Sequence, residues 1–270
     1  MGLICSILFS KYYYTDASKG NQEALKHPGI RVGICPDWRE TKDGKPYYFD
    51  KILLYYHKLL EKNGGKLVVL SFNDDPKEFK GKLHGLIIPG GRDIDPKFYG
   101  QKKTYARVNL KDSEKRWNFC KKGVFESDPK MPIFGICFGF QVINCLFGGD
   151  LEQRICNRFS HSQNRIMKLR VDSPIAKVIG KLSMRAQCYH QQGLKKIPDL
   201  LRPIVWDSED DTVHGLEYVG EGDRKILAVL WHPEACYEGK SFEKHEPDNL
   251  KLFLHFFKWC DEYRLSINQS

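Results

Sequence analysis

Cys137 stands between two glycines in the run Gly135-Ile136-Cys137-Phe138-Gly139, where an apolar stretch passes into a helix-forming one. A residue at a sharp strand-to-helix turn exposes its side chain and crowds its neighbours. Glycine two positions before and two after is what that geometry requires, the nucleophile-elbow logic with sulfur in place of oxygen. A thiol there stands at the amino end of a helix, whose dipole and free amides favour a thiolate. The competing reading is a close-packed strand–helix junction with an inert buried cysteine, and this motif alone does not separate the two.

Two further stretches shift the balance. In "LWHPE", His232 and Glu234 follow an apolar run two positions apart, so in extended chain their side chains share a face. A histidine that accepts the thiol proton and a carboxylate that orients the imidazole are the partners a cysteine nucleophile needs. In "IIPGGRDIDP", the adjacent Gly90 and Gly91 present backbone amides suited to an oxyanion, with the amide of Phe138 as the second donor. Either glycine can supply that donor. His232, Glu234 and Cys236 also alternate, and "CYH" adds Cys188 and His190, which is metal-ligand chemistry. A metal would leave the elbow around Cys137 unexplained, so neither a metal ion nor an organic cofactor is expected.

The elements that must position these groups read as alternating strands and helices. "IRVGIC" (30–35) and "KLVVLS" (66–71) are short strands around a helix whose apolar residues Phe49, Ile52, Leu53, Tyr56, Leu59 and Leu60 recur at helical spacing. Pro46 suits that helix's start and Gly64-Gly65 its end. "LHGLIIPGG" (83–91) is a strand running into a turn, 113–124 a charged helix, "MPIFGIC" another strand, and 138–149 a buried helix stopped by two glycines. Residues 165–231 are richer in short strands and turns, and 248–264 is a packing helix. This alternation implies a mostly parallel sheet covered on both faces, with ligands beyond the carboxyl ends of its strands.

Composition bounds the class. The 270 residues are 41% apolar and 29% charged, a globular balance, and no run reaches the ~18 apolar residues of a membrane-spanning helix. One domain is expected over 28–270, preceded by an N-terminal extension, 1–27. Nine scattered cysteines with no C-x-x-C pair argue for a reducing, cytoplasmic setting and against a disulfide framework or zinc ribbon. The net charge of +9 leans toward anionic partners, with lysine and arginine concentrated between Lys97 and Lys122. No nucleic-acid motif accompanies that charge, so nucleic acid is not an expected partner. The start, "MGLICS", fits the pattern for acylation of Gly2 with Cys5 as a second lipid site; a disordered leader is the alternative. Membrane association would follow only from that lipidation.

With these residues in place, the chain resembles the class I glutamine amidotransferase superfamily, and within it the peptidase C26 group of γ-glutamyl hydrolases. "GICFGFQVINCLFGGDLEQ" is similar to the group's nucleophile segment, "IIPGGRDIDPKFYGQ" to its oxyanion loop, and "LAVLWHPEA" to its His-x-Glu segment. The resemblance covers 30–238 and implies a flavodoxin-like α/β/α sandwich with a mostly parallel central sheet. It implies Cys137 as nucleophile, His232 as acid/base, Glu234 as its orienter, and an oxyanion hole from Phe138 and one of Gly90 or Gly91. Gln141 matches a position that holds the glutamyl end of the substrate, and His190-Gln191 in "YHQQ" the group's His-His-Gln segment. Tyr189 replaces a usual second histidine, Ala186-Gln187 a usual Asn-Ser, and Phe138 a commoner arginine or leucine. These departures bear on the leaving group.

The expected activity is hydrolysis of a γ-glutamyl amide of the γ-glutamyl-γ-aminobutyrate or γ-glutamyl peptide type through a thioester on Cys137, releasing an amine and then glutamate. Small γ-glutamyl amines are favoured, and a poly-γ-glutamate would also suit the basic Lys97 to Lys122 region. A glutaminase subunit feeding ammonia to a synthetase is the first alternative; no synthetase domain is present and "DIDPKFYG" points away from it. A catalytically silent, membrane-tethered binding protein is the second.

Overall fold

The computed structural model describes residues 27–35, 39–40, 46–47, 50–108, 112–155, 164–237 and 246–268. Nine strands form one sheet, in the order β4 (Lys66–Val69), β1 (Arg31–Ile34), β5 (Gly85–Ile88), β6 (Ile133–Ile136), β13 (Ile226–Val229), β12 (Val213–Tyr218), β11 (Leu201–Asp207), β8 (Asn164–Leu169) and β9 (Ser183–Gln187). The pairings from β4 to β13 are parallel. Those from β13 to β9 are antiparallel. Because β11 and β9 each turn back to the direction of β13, seven strands (β4, β1, β5, β6, β13, β11, β9) run one way. Their carboxyl ends share one edge.

The burial pattern follows from what covers each strand. β5 (GLII), β6 (IFGI) and β13 (ILAV) are buried at every residue, as central strands of a sheet covered on both faces must be. One face packs α1 (Asp50–Lys62) and α5 (Glu246–Ile267) over Ile87, Phe134, Ile136, Leu227 and Val229. Phe253 of α5 meets Tyr55, Tyr56 and Phe134 edge-on at centroid separations of 5.7, 5.7 and 5.6 Å. The opposite face packs α2 (Ser113–Phe125) and α3 (Phe138–Leu146) over Leu86, Ile88, Ile133, Ile226 and Ala228. α3 is buried from Phe138 to Cys145, a helix apolar nearly all round and inside the molecule. The result is the expected α/β/α sandwich.

The expected elements recur with shifted limits. Pro46 does not start the helix: Pro46–Tyr47 (β3) pairs with Arg39–Glu40 (β2) in a two-residue antiparallel ladder, and α1 begins at Asp50. A proline is tolerated there because a ribbon this short leaves its nitrogen without a required ladder bond. The second half also carries a short helix, α4 (Pro174–Ile179), which Ser173 caps by accepting the Ala176 amide at 3.1 Å. A two-stranded sheet of β7 (Asp150–Glu152) and β10 (Gly193–Lys196) completes the fold. No described helix is long and apolar enough to cross a membrane. Residues 1–26, with Gly2 and Cys5, lie outside the described residues.

Candidate active site

β6 delivers Cys137 with a backbone that an ordinary residue adopts only under strain. Its φ is 51° and its ψ −98°, a region that costs on the order of 1–3 kcal/mol and is held only where surrounding structure dictates it. The Cys137 amide donates to the Val229 carbonyl at 2.8 Å, continuing the β6–β13 ladder by one residue. Four residues on, the Gln141 amide donates to the Cys137 carbonyl at 3.1 Å and the helix has begun. The flanking glycines are required by backbone packing at this junction. A Cβ on Gly139 would lie 2.0 Å from the Ile88 carbonyl oxygen, and one on Gly135 would lie 2.8 Å from the Gly139 carbonyl.

β13 delivers the partner histidine. The His232 amide donates to the Gln187 carbonyl at 2.9 Å, which ties this loop to the end of β9. His232 Nδ1 lies 2.8 Å from Glu234 Oε1, and the carboxylate side chain is only 2% exposed. The pairing does not come from extended chain, as the spacing alone suggests. Pro233–Tyr237 is a 3-10 turn, which curls Glu234 back onto the ring that precedes it. The Cys137 thiol is within hydrogen-bonding reach of His232. Burial alone would pull the imidazole's pKa down, but the charges and hydrogen bonds of Cys137 and Glu234 outweigh it and hold the pKa well above its ordinary value.

The Gly90-Gly91 loop, expected to supply an oxyanion donor, follows β5. A Cβ on Gly90 would fall 2.7 Å from His232 Cε1 and 3.6 Å from Cys137 Cβ, so Gly90 adjoins both reacting side chains. Gly91 faces Arg116, whose guanidinium a Cβ would meet at 2.4 Å. Arg116 is the residue that sequence reasoning missed here. It looks like one charge among many on α2, yet it is buried, donates to the Pro89, Gly90 and Arg92 carbonyls at 3.4 to 3.5 Å, and lies 3.3 Å from the centroid of the Phe138 ring. It clamps the loop to the first residue of α3. Beside it a small pocket is lined by Arg92, Asp95, Phe98, Trp117 and Phe138, with Phe98 and Trp117 stacked at 4.9 Å.

The remaining expected residues come from the end of β9 and from α3. Buried Gln141 donates to the Gln192 carbonyl at 3.4 Å. Gln191 donates to Asp93 at 3.0 Å, and the Arg107 amide donates to the same carboxylate oxygen at 2.7 Å. Burial raises the Asp93 pKa against those two hydrogen bonds. Tyr189 is 53% exposed and packs edge-on against the His232 ring at 5.6 Å. His190 is buried, and its ring meets His214 of β12 edge-on at 4.8 Å. Nothing in the pattern around His214 marks it, because its approach to His190 depends on how β12 and β9 lie in the sheet. The Cys236 side chain falls outside the described residues.

The sandwich, with its central parallel strands and flanking helices, has the architecture of the class I glutamine amidotransferase fold. A crystal structure from Thermoplasma acidophilum, of a protein provisionally named as a GMP synthase subunit, superposes with a TM-score of 0.63 at 17% identity, over 89% of this chain and 98% of that one. The chain belongs to the Peptidase C26 family, whose model matches residues 32–234. A provisionally named glutamine amidotransferase of Mycobacterium tuberculosis is 35% identical over 63% of this chain and 54% of its own length, so the chain spans about half of that relative. Another so named, from Schizosaccharomyces pombe, is 28% identical over 76% of this chain and 81% of its own. A family of this kind supports cysteine-dependent amidohydrolase or amidotransferase chemistry.

Proposed function

We propose that this protein hydrolyses the amide bond of a small γ-glutamyl compound through a covalent thioester on Cys137. The observation that carries the reading is the meeting of a strained cysteine (φ 51°) with a histidine held by a carboxylate at 2.8 Å. The Cys137 thiolate attacks the γ-carbonyl carbon, and its oxygen takes the negative charge. The amide of Phe138, first of its helix, and the amide of Gly90 supply the donors for that charge. As the C–N bond breaks, the His232 imidazolium gives its proton to the departing amine. Neutral His232 then takes a proton from water, whose oxygen attacks the thioester; the C–S bond breaks and glutamate leaves with the thiolate restored. In this reading Gln141 helps hold the glutamyl end of the substrate, the His190-Gln191 segment borders the substrate site, and Glu234 keeps the ring oriented throughout.

The test is glutamate release from glutamine, γ-glutamyl-γ-aminobutyrate, a γ-glutamyl anilide and a folate polyglutamate, wild type against Cys137→Ser. Release from at least one compound, lost by a factor on the order of 10⁴ or more in the variant, is the expected result. No release from any compound by the isolated, folded chain would sink the stand-alone hydrolase. A second reading, a glutaminase that works for a synthetase, draws support from the resemblance to a glutamine-hydrolysing GMP synthase component of Methanosphaera stadtmanae, 25% identical over 53% of this chain. Glutamine hydrolysis that appears only when a synthetase partner is added would favour it.

A further inference from the structure

Beside the catalytic pair, and used by none of the steps above as a proton carrier or nucleophile, lies a second group of reactive side chains: Cys188, His190 and His214. All three are buried, Cys188 and His214 completely. One donor atom from each lies within 4.8 Å of the others. Cys188 Sγ and His214 Nδ1 are 3.9 Å apart, and the two imidazole rings meet edge-on at a centroid separation of 4.8 Å. A thiolate and two imidazoles are the donors that suit zinc and similar borderline-soft cations. Around such an ion, with bonds of ~2.3 Å to sulfur and ~2.0 Å to nitrogen, the donor atoms sit roughly 3.5 Å from one another. The thiol–imidazole spacing is already close to that, and the third donor needs a movement on the order of 1 Å.

We infer that Cys188, His190 and His214 form a binding site for a zinc-like divalent cation, distinct from the Cys137–His232–Glu234 site. Three protein donors leave one coordination position for water or another small ligand. The site is built from two pieces of chain far apart in sequence, the segment after β9 and the start of β12, so a bound cation would cross-link them. Its placement gives that cross-link a consequence. Tyr189, between the two ligands of the β9 segment, packs on the His232 ring, and the carbonyl of Gln187 holds the His232 amide. A cation here would stiffen the segment against which the catalytic histidine rests.

The test uses the full chain in a Cys137→Ala background, which removes the competing thiol beside His232. The protein is stripped with chelator and titrated with Co²⁺ while the near-ultraviolet thiolate-to-cobalt band and the visible d–d bands are recorded. The expected result is a thiolate band that saturates at one equivalent, bleaches on adding Zn²⁺, disappears in Cys188→Ser and requires at least tenfold more cobalt in His214→Gln. Absence of the band at saturating cobalt overturns the proposal, and so does a band that survives Cys188→Ser. Should Cys188→Ser fail to fold by circular dichroism, His190→Gln and His214→Gln decide: a band unchanged in both overturns the site. Because the readout is spectroscopic and in a nucleophile-free protein, it stands or falls separately from hydrolysis.

Discussion

The two halves of the central sheet solve different problems. On the parallel side, β5, β6 and β13 are continuous apolar runs buried on both faces, and each ends in a short loop that carries one piece of the proposed active site. On the antiparallel side, β8 alternates exposed and buried residues, and its Arg165 and Lys168 pair with carboxylates. Arg165 there pairs with fully buried Asp207 and reaches Glu209 and Asp210 at 3.2 and 3.3 Å. The parallel half positions its candidate site residues by backbone geometry, through a strained cysteine and glycines that admit no Cβ. The antiparallel half contributes through side chains, which bridge from the end of β9 to Asp93 in the loop after β5 and to His214. A change in backbone packing alters stability and the placement of Cys137 together, whereas loss of a side-chain bridge alters one of them at a time.

This contrast can be broken in four places. The largest expected effect is on the antiparallel side: Arg165→Met leaves the Asp207 carboxylate buried without its guanidinium, which costs about 3–5 kcal/mol of unfolding free energy. Chemical denaturation checks it, and turnover per folded molecule should be unchanged; a loss below about 1 kcal/mol would show the pair to be peripheral. On the parallel side, Gly139→Ala forces a methyl against the Ile88 carbonyl and should cost about 3 kcal/mol, with activity falling as Cys137 is displaced. Both should fall together here, unlike Arg165→Met.

Glu234→Gln sharpens the electrostatic side of the comparison. It keeps a hydrogen-bonding group near His232 Nδ1 and removes the negative charge that helps hold the imidazole's pKa up. The His232 pKa should fall, so the imidazolium needed to protonate the leaving amine is lost at lower pH. The alkaline limb of kcat/KM then moves toward acid, and kcat drops about 10²-fold. A limb that stays in place would remove Glu234 from its orienting role. The smallest effect is expected from Gln191→Ala, which deletes one hydrogen bond to Asp93 while the Arg107 amide keeps the other. KM should rise about tenfold or less with kcat little changed, as befits one hydrogen bond to a charged group. A large loss of kcat instead would place Gln191 among the groups that touch the reacting atoms.

Much of the parallel half is legible in the sequence because its signals are local. Unbroken apolar runs mark β5, β6 and β13, and the two glycines around Cys137 mark the junction that follows. The pairing of His232 with Glu234 is legible too, but for a different local reason than their spacing suggests, since a 3-10 turn and not an extended chain brings them together. Pro46 misleads for a related reason: the same fixed φ suits a helix start and a short ribbon, and only pairing with Arg39–Glu40 decides between them.

By itself the sequence determined the alternation of strands and helices, the strand ends where chemistry collects, and the chemical types gathered there. These depend on periodicity and on the conformational limits of glycine and proline, which act over a few residues. The tertiary structure alone decided that β9 turns back to run with β13, so that Tyr189, His190 and Gln191 reach the edge that holds Cys137 and His232. It alone placed Arg116 beneath the Gly90-Gly91 loop and His214 against His190 and Cys188. Those meetings join residues 24 to 98 positions apart, and such contacts are set by the twist and order of the sheet, which no local pattern encodes.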